Sequence, residues 1–88
     1  MSLDQYAVER AIKRRIVEIV AQTGEDAASL ARDEVIPASG LIDSAGLIEL
    51  VAWFDKEYQL ALKDEEITID NLGTIQSMAQ FVLRRKPA

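Results

Sequence analysis

The sequence predicts an all-α fold: three main helices, one short helix and one long loop after the first helix. Three observations carry this. Apolar residues recur at i, i+3 and i+4 in three stretches, the spacing that gathers them on one face of a helix. No stretch alternates apolar and polar residues over a useful length, as a half-buried strand would. With 88 residues, 49% hydrophobic and 28% charged, the chain has the size and composition of one small globular domain, taken as residues 1–88.

The first helix follows from Val8, Ala11, Ile12, Ile16, Ile19 and Val20, with Arg10, Lys13 and Arg14 between them. It is expected over residues 3–21, with Asp4 early in it. The string QTGEDAASLARDEVIPASG comes next. Gly24, Pro37, Ser39 and Gly40 punctuate it as a loop, with a short turn around residues 27–31. Leu30, Val35 and Ile36 are apolar enough to pin this loop to the core. A loop of this length in a small domain is more often functional than idle.

The second helix, residues 44–58, is marked by Leu47, Leu50, Val51, Phe54 and Tyr58 at helical spacing. A short third helix is expected between residues 64 and 71, with Asp64, Glu65 and Glu66 as its solvated start. Thr74 is a good N-cap for the last helix, in which Ile75, Met78, Phe81 and Val82 form one stripe. Arg84, Arg85 and Lys86 suit the negative end of its dipole.

Composition excludes several functions. There is no cysteine and no histidine, so disulfides, thiolate sites, the usual general base and the commonest transition-metal ligand are all missing. No apolar run approaches the ~20 residues that span a bilayer. The opening MSLDQYAVERAIKRR lacks an apolar signal core, so a cytoplasmic protein without membrane association is expected. The net charge is −5, but residues 16–83 hold 13 acidic against 3 basic residues, a net of −10. Such a surface repels nucleic acid and attracts basic partners. A monomer is the default expectation. DEEITIDNLGTI has the length of an EF-hand loop, yet Ile69 and Ile75 occupy the positions that need glycine and a bidentate acid. Ser44 as a hydrolase nucleophile lacks a base, and the G-x-S-x-G elbow is absent. No metal site and no catalytic residue is assigned.

The remaining motif is GLIDSAG, residues 40–46. Taken alone, Asp43 or Ser44 ahead of an apolar helical run reads as an N-cap, and Gly40 as a turn. The wider pattern adds Glu49-Leu50, then Asp64-Glu65-Glu66, then Leu72-Gly73-Thr74-Ile75-Gln76. Over residues 8–82 the whole resembles the acyl carrier protein family. That resemblance implies an acyl-carrier-like four-helix bundle whose Ser44 carries 4′-phosphopantetheine taken from coenzyme A, with Asp43 as the motif carboxylate. It implies a non-catalytic, stand-alone carrier of a thioester-linked acyl or aminoacyl group. Its partners would be a phosphopantetheinyl transferase, an acyl- or aminoacyl-adenylating ligase and downstream biosynthetic enzymes. Glycine two positions after the serine looks especially like carriers of activated amino acids, including D-alanyl and prolyl-type carriers. Many fatty-acid carriers read D-S-L followed by an acid. Ala45 and Gly46 stand there instead, and Lys56 interrupts the acidic run, which suggests a dedicated carrier of a specialised pathway.

Physical chemistry agrees with the attachment reading. A phosphodiester on Ser44 would sit at a helix N-terminus, where N–H groups and the dipole favour an anion. An unactivated serine needs an external enzyme to supply the base. Asp43 would cap the helix or present a carboxylate to that enzyme. At roughly 100° per residue, Ala45, Ile48, Glu49 and Ala52 form the expected docking strip beside Ser44, with peripheral core packing as the alternative for Ile48. Trp53 falls off the core face and is expected to pack on the short third helix, with an exposed partner contact as the alternative. Arg10, Lys13, Arg14 and Arg15 read as a solvated face, with a partner site there as the alternative. The competing function is an unmodified acidic module that binds a basic protein.

Overall fold

In a computed structural model that describes residues 4–86, the chain forms α1 (Gln5–Ala21), α2 (Ser44–Tyr58), α3 (Ile69–Leu72) and α4 (Ile75–Arg85). Two 3-10 turns, Pro37–Ser39 and Asp64–Glu66, lie in the connections. No strand occurs among the described residues. No described helix is long and apolar enough to cross a membrane. The all-α expectation of three main helices, a short third helix and a long first loop is met.

Each boundary has a local cause. Asp4 caps α1 rather than opening it, its carboxylate accepting from the Tyr6 N–H at 3.1 Å; Leu3, where the helix was expected to begin, lies outside the described residues. The far end of α1 closes as a Schellman turn. Glu25 N–H donates to Val20 O and Gly24 N–H to Ala21 O, both at 3.1 Å, and Gly24 takes φ 83°, a conformation glycine adopts without Cβ strain. The same closure ends α2 on Gln59 at φ 52°. Thr74 caps α4 as expected, accepting from the Ser77 N–H at 2.9 Å.

The short third helix is divided. Residues 64–66 make one 3-10 turn, the backbone leaves helical geometry at Ile67, and Thr68 caps α3 through the Asn71 N–H at 3.1 Å. The cap explains the break: Thr68 takes the extended backbone of an N-cap, which interrupts the helix there. Nor is Glu66 merely solvated. Arg85 reaches back from α4 to pair with it and to donate to the Leu60 carbonyl, which fastens the α2–α3 connection.

α1 packs on both α2 and α4, and α3 sits on α4. Ile12, Ile16 and Val20 meet Leu50 and Phe54 of α2 and Met78 and Val82 of α4 in one core. Trp53 packs at its margin, edge-on to Tyr58. The long loop is tied down by Ala27, Leu30 and Ile36, all buried, and by two backbone bonds: Ile36 N–H to Gly73 O at 2.7 Å and Gln76 N–H to Arg32 O at 2.9 Å. The expected turn near residues 27–31 is present. Val35 is exposed and does not anchor the loop, because its neighbour Ile36 takes the inward position.

The basic face of α1 is only partly solvated. Lys13 donates to the Leu30 carbonyl, and Arg15 pairs with Glu18 at 3.3 Å and Glu49 at 3.1 Å. Arg10 and Arg14 are the exposed ones. Sequence reasoning missed the neighbouring Glu9, which is only 7% exposed. It accepts twice from the Arg32 guanidinium, at 2.7 and 2.6 Å, and once from Gln5 at 3.0 Å. A carboxylate this buried is tolerated because its oxygens are paired.

The Arg32 guanidinium holds the Glu9 carboxyl below the ordinary carboxylate range. The pair therefore contributes stability that is complete above the unfolded glutamate pKa of about 4.3 and fades as pH falls through the lower folded value. Thermal unfolding should place Glu9→Gln below the wild type at pH 7, with the two converging in acid. A gap that stays constant with pH would contradict this assignment.

Candidate functional site

The segment from Pro37 to Gly46 turns the chain from the loop into α2. Ser39 Oγ donates to the Ile36 carbonyl at 2.6 Å and accepts from the Leu41 N–H at 3.2 Å, closing the 3-10 turn. Gly40 then takes φ 75°, the left-handed geometry for which this turn uses glycine. Leu41 and Ile42 dip against the core. Asp43 follows in extended conformation and caps α2: Oδ1 accepts from the Gly46 N–H at 2.8 Å, and its carbonyl accepts from the Leu47 N–H at 2.9 Å.

This geometry decides which residue of the motif is the cap. Asp43 is the cap, and Ser44 is the first helical residue, exposed to solvent. The N–H groups of Ser44 and Ala45 belong to the first turn, where no intrahelical acceptor precedes them. An exposed hydroxyl therefore stands in the positive end of a helix of 15 residues.

Gly46 has a packing reason to be glycine. A Cβ there would stand 2.7 Å from Ile42 Cγ1 and 3.2 Å from both Asp43 Oδ1 and Ile19 Cγ2. It would press at once on the loop, the cap and the contact between α1 and α2.

The expected docking strip separates into two parts. Ala45, Ile48 and Ala52 lie exposed on α2. Ile48 is 71% exposed, so it does not pack in the peripheral core. Glu49 leans toward α1, where Arg15 holds its carboxylate at 3.1 Å. Across from Ile48, two residues outside the expected strip extend the apolar surface: Ile67, 45% exposed, and Ile69, 64% exposed. Between Ile48 and Ile67 runs a groove of about 410 Å³, with Val51 and Leu62 among its walls. The signal for these isoleucines lay in the sequence, as apolar residues inside an acidic string, but their exposure depends on the break at Ile67.

The arrangement has no means of activating the serine by itself. Asp43 Oδ1 is committed to the Gly46 N–H, and among the described residues no cluster of acids could hold a metal ion. The site presents an exposed serine at the start of α2.

The family described as the phosphopantetheine attachment site matches residues 14–82, well over half of the chain. No curated protein and no solved structure matches it.

If Asp43 is the cap, Asp43→Ala should cost about 1 kcal/mol in urea unfolding. Ser44→Ala should stay within about 0.5 kcal/mol of wild type. The reverse order would make Ser44 the cap.

Proposed function

The chain belongs to the phosphopantetheine attachment site family, and from that premise we propose that Ser44 is the residue to which the prosthetic group is joined. Members of this family are non-catalytic carriers that bear a covalent 4′-phosphopantetheine and work with phosphopantetheinyl transferases and biosynthetic enzymes. The observation that carries the assignment to Ser44 is its position: exposed, first in α2, and relieved of capping by Asp43.

The residues fit such a group. The exposed hydroxyl leaves room for a transferase, and the positive end of α2 favours a phosphodiester. Ser44 Oγ forms the new P–O bond and gives up its proton to a base on the transferase. The pyrophosphate of coenzyme A breaks and its nucleotide leaves. Once attached, the arm supplies a terminal thiol that holds an acyl or aminoacyl group as a thioester. The chain has no cysteine, so no side-chain thiol competes with it.

The face around Ser44 then serves recognition. Ala45, Ile48 and Ala52 form one wall of the docking surface and Ile67 and Ile69 the other, while Glu49, held by Arg15, marks its edge. An apolar surface of this kind suits dedicated partner enzymes of a specialised pathway, among them an adenylating ligase that loads an acyl or amino acid. The resemblance of GLIDSAG to carriers of activated amino acids supports the aminoacyl version. The packing around Gly46 accounts for that glycine independently of cargo, so the preference rests on the motif as a whole. Residues 1–88 act in this reading as a single carrier domain.

Intact-mass spectrometry tests the assignment. With a broad-specificity phosphopantetheinyl transferase, coenzyme A and Mg²⁺, the wild type should gain one phosphopantetheine. Ser44→Ala should gain none while keeping its helical circular dichroism. A loaded Ser44→Ala, or an unmodified wild type, would overturn it.

A further inference from the structure

We infer that the cleft beside the N-terminal half of α1 is a docking site for a short acidic segment of a partner protein, an apolar residue flanked by carboxylates. The cleft has a volume of about 360 Å³. Four cations line it, Arg10, Lys13, Arg14 and Arg32, against the single carboxylate of Glu9, a net of +3. Glu9 is already satisfied by Arg32 and Gln5, and Lys13 is engaged by the Leu30 carbonyl.

Arg10 and Arg14 are different. Both are exposed, and among the described residues neither forms an ion pair. They stand one helical turn apart on the same face, about 5–6 Å between Cβ atoms, and each guanidinium offers the fork that binds a carboxylate through two hydrogen bonds. The floor is apolar, with Leu30 and Ile75. Tyr6 forms the rim, 61% exposed, with the Arg32 guanidinium 5.3 Å from its ring centre.

Charge selects the partner. This is a cationic recess on a chain of net charge −5 whose residues 16–83 carry −10. The surrounding acids repel the continuous phosphates of a nucleic acid, whereas a short acidic segment needs only the recess. The apolar floor takes the one apolar side chain between the carboxylates. The site lies back along α1 from the Ser44 face: Ile19 lies beside Gly46, and Arg14 and Glu9 stand about 7.5 and 15 Å from it along the helix axis at 1.5 Å per residue. A partner seated here leaves Ser44 accessible, so the inference does not depend on Ser44 as the attachment residue.

A fluorescein-labelled Glu-Glu-Leu-Glu-Glu peptide tests it by anisotropy and by amide NMR shifts on the full chain. Saturable binding is expected, with shifts in the first half of α1, Leu30 and Ile75. Affinity should fall at least tenfold in R10E/R14E, and steeply with added salt, while transferase loading of the chain is unchanged. R10Q/R14Q serves if the charge reversal disturbs folding. Equal binding by Gln-Gln-Leu-Gln-Gln, unchanged binding by the variants, or no binding at millimolar peptide would overturn the inference. So would displacement by an equal concentration of inorganic phosphate, which marks a simple anion site. Self-association of the wild type that disappears in R10E/R14E would assign the cleft to a second copy instead.

Discussion

The hydrogen bond from the Gly46 N–H to the Asp43 carboxylate decides what the head of α2 offers to other molecules. A helix start needs an acceptor for its unpaired N–H groups, and both residues of the Asp-Ser pair are good candidates. Because the aspartate takes that role, Ser44 is left exposed and is not needed as the cap. The same bond aligns the first turn, so Ser44 sits where the helix field favours a phosphate. Capping and the proposed attachment thus fall on adjacent residues.

The cap is precise because its surroundings are tightly held. Gly46 lets Ile42 and Ile19 approach where a Cβ would collide. The long loop that delivers Asp43 is bound to the far side of the fold through Ile36 and Gly73, and again through Arg32 and Gln76. Arg85 secures the opposite wall by engaging Leu60 and Glu66. A serine at the end of the 22-residue connection over residues 22–43 would otherwise wander. These few fastenings make the loop part of a platform, and Ile48, Ile67 and Ile69 remain uncovered on its rim.

Much of this was legible before any coordinates. Helical spacing placed α1, α2 and α4, because a long apolar stripe has one economical solution, and Thr74 read correctly as a cap. The segment around Thr68 was harder: its residues support either one short helix or two turns, and the choice falls to a side-chain cap that spacing does not reveal. Long-range pairings were hidden for a similar reason. Nothing local in the sequence says that Glu9 would meet Arg32 or that Arg15 would reach Glu49, since these contacts arise only when α1 packs. Val35 and Ile36 were equivalent as apolar residues, and only the loop's path separated them. At GLIDSAG, residue types alone left the cap open between Asp43 and Ser44, and the geometry gives that role to Asp43.

The molecule has two chemically different regions: an apolar face around the head of α2, and a cationic recess by the first half of α1. The account depends most on the first. Amide NMR of the unloaded and loaded protein addresses it directly. The largest shifts should fall at Ser44 and Ala45, while the Gly46 amide stays protected from exchange by its bond to Asp43. Loss of Gly46 protection on loading, or shifts centred on Ser39 or Ser77, would contradict a serine anchored beside an independent cap.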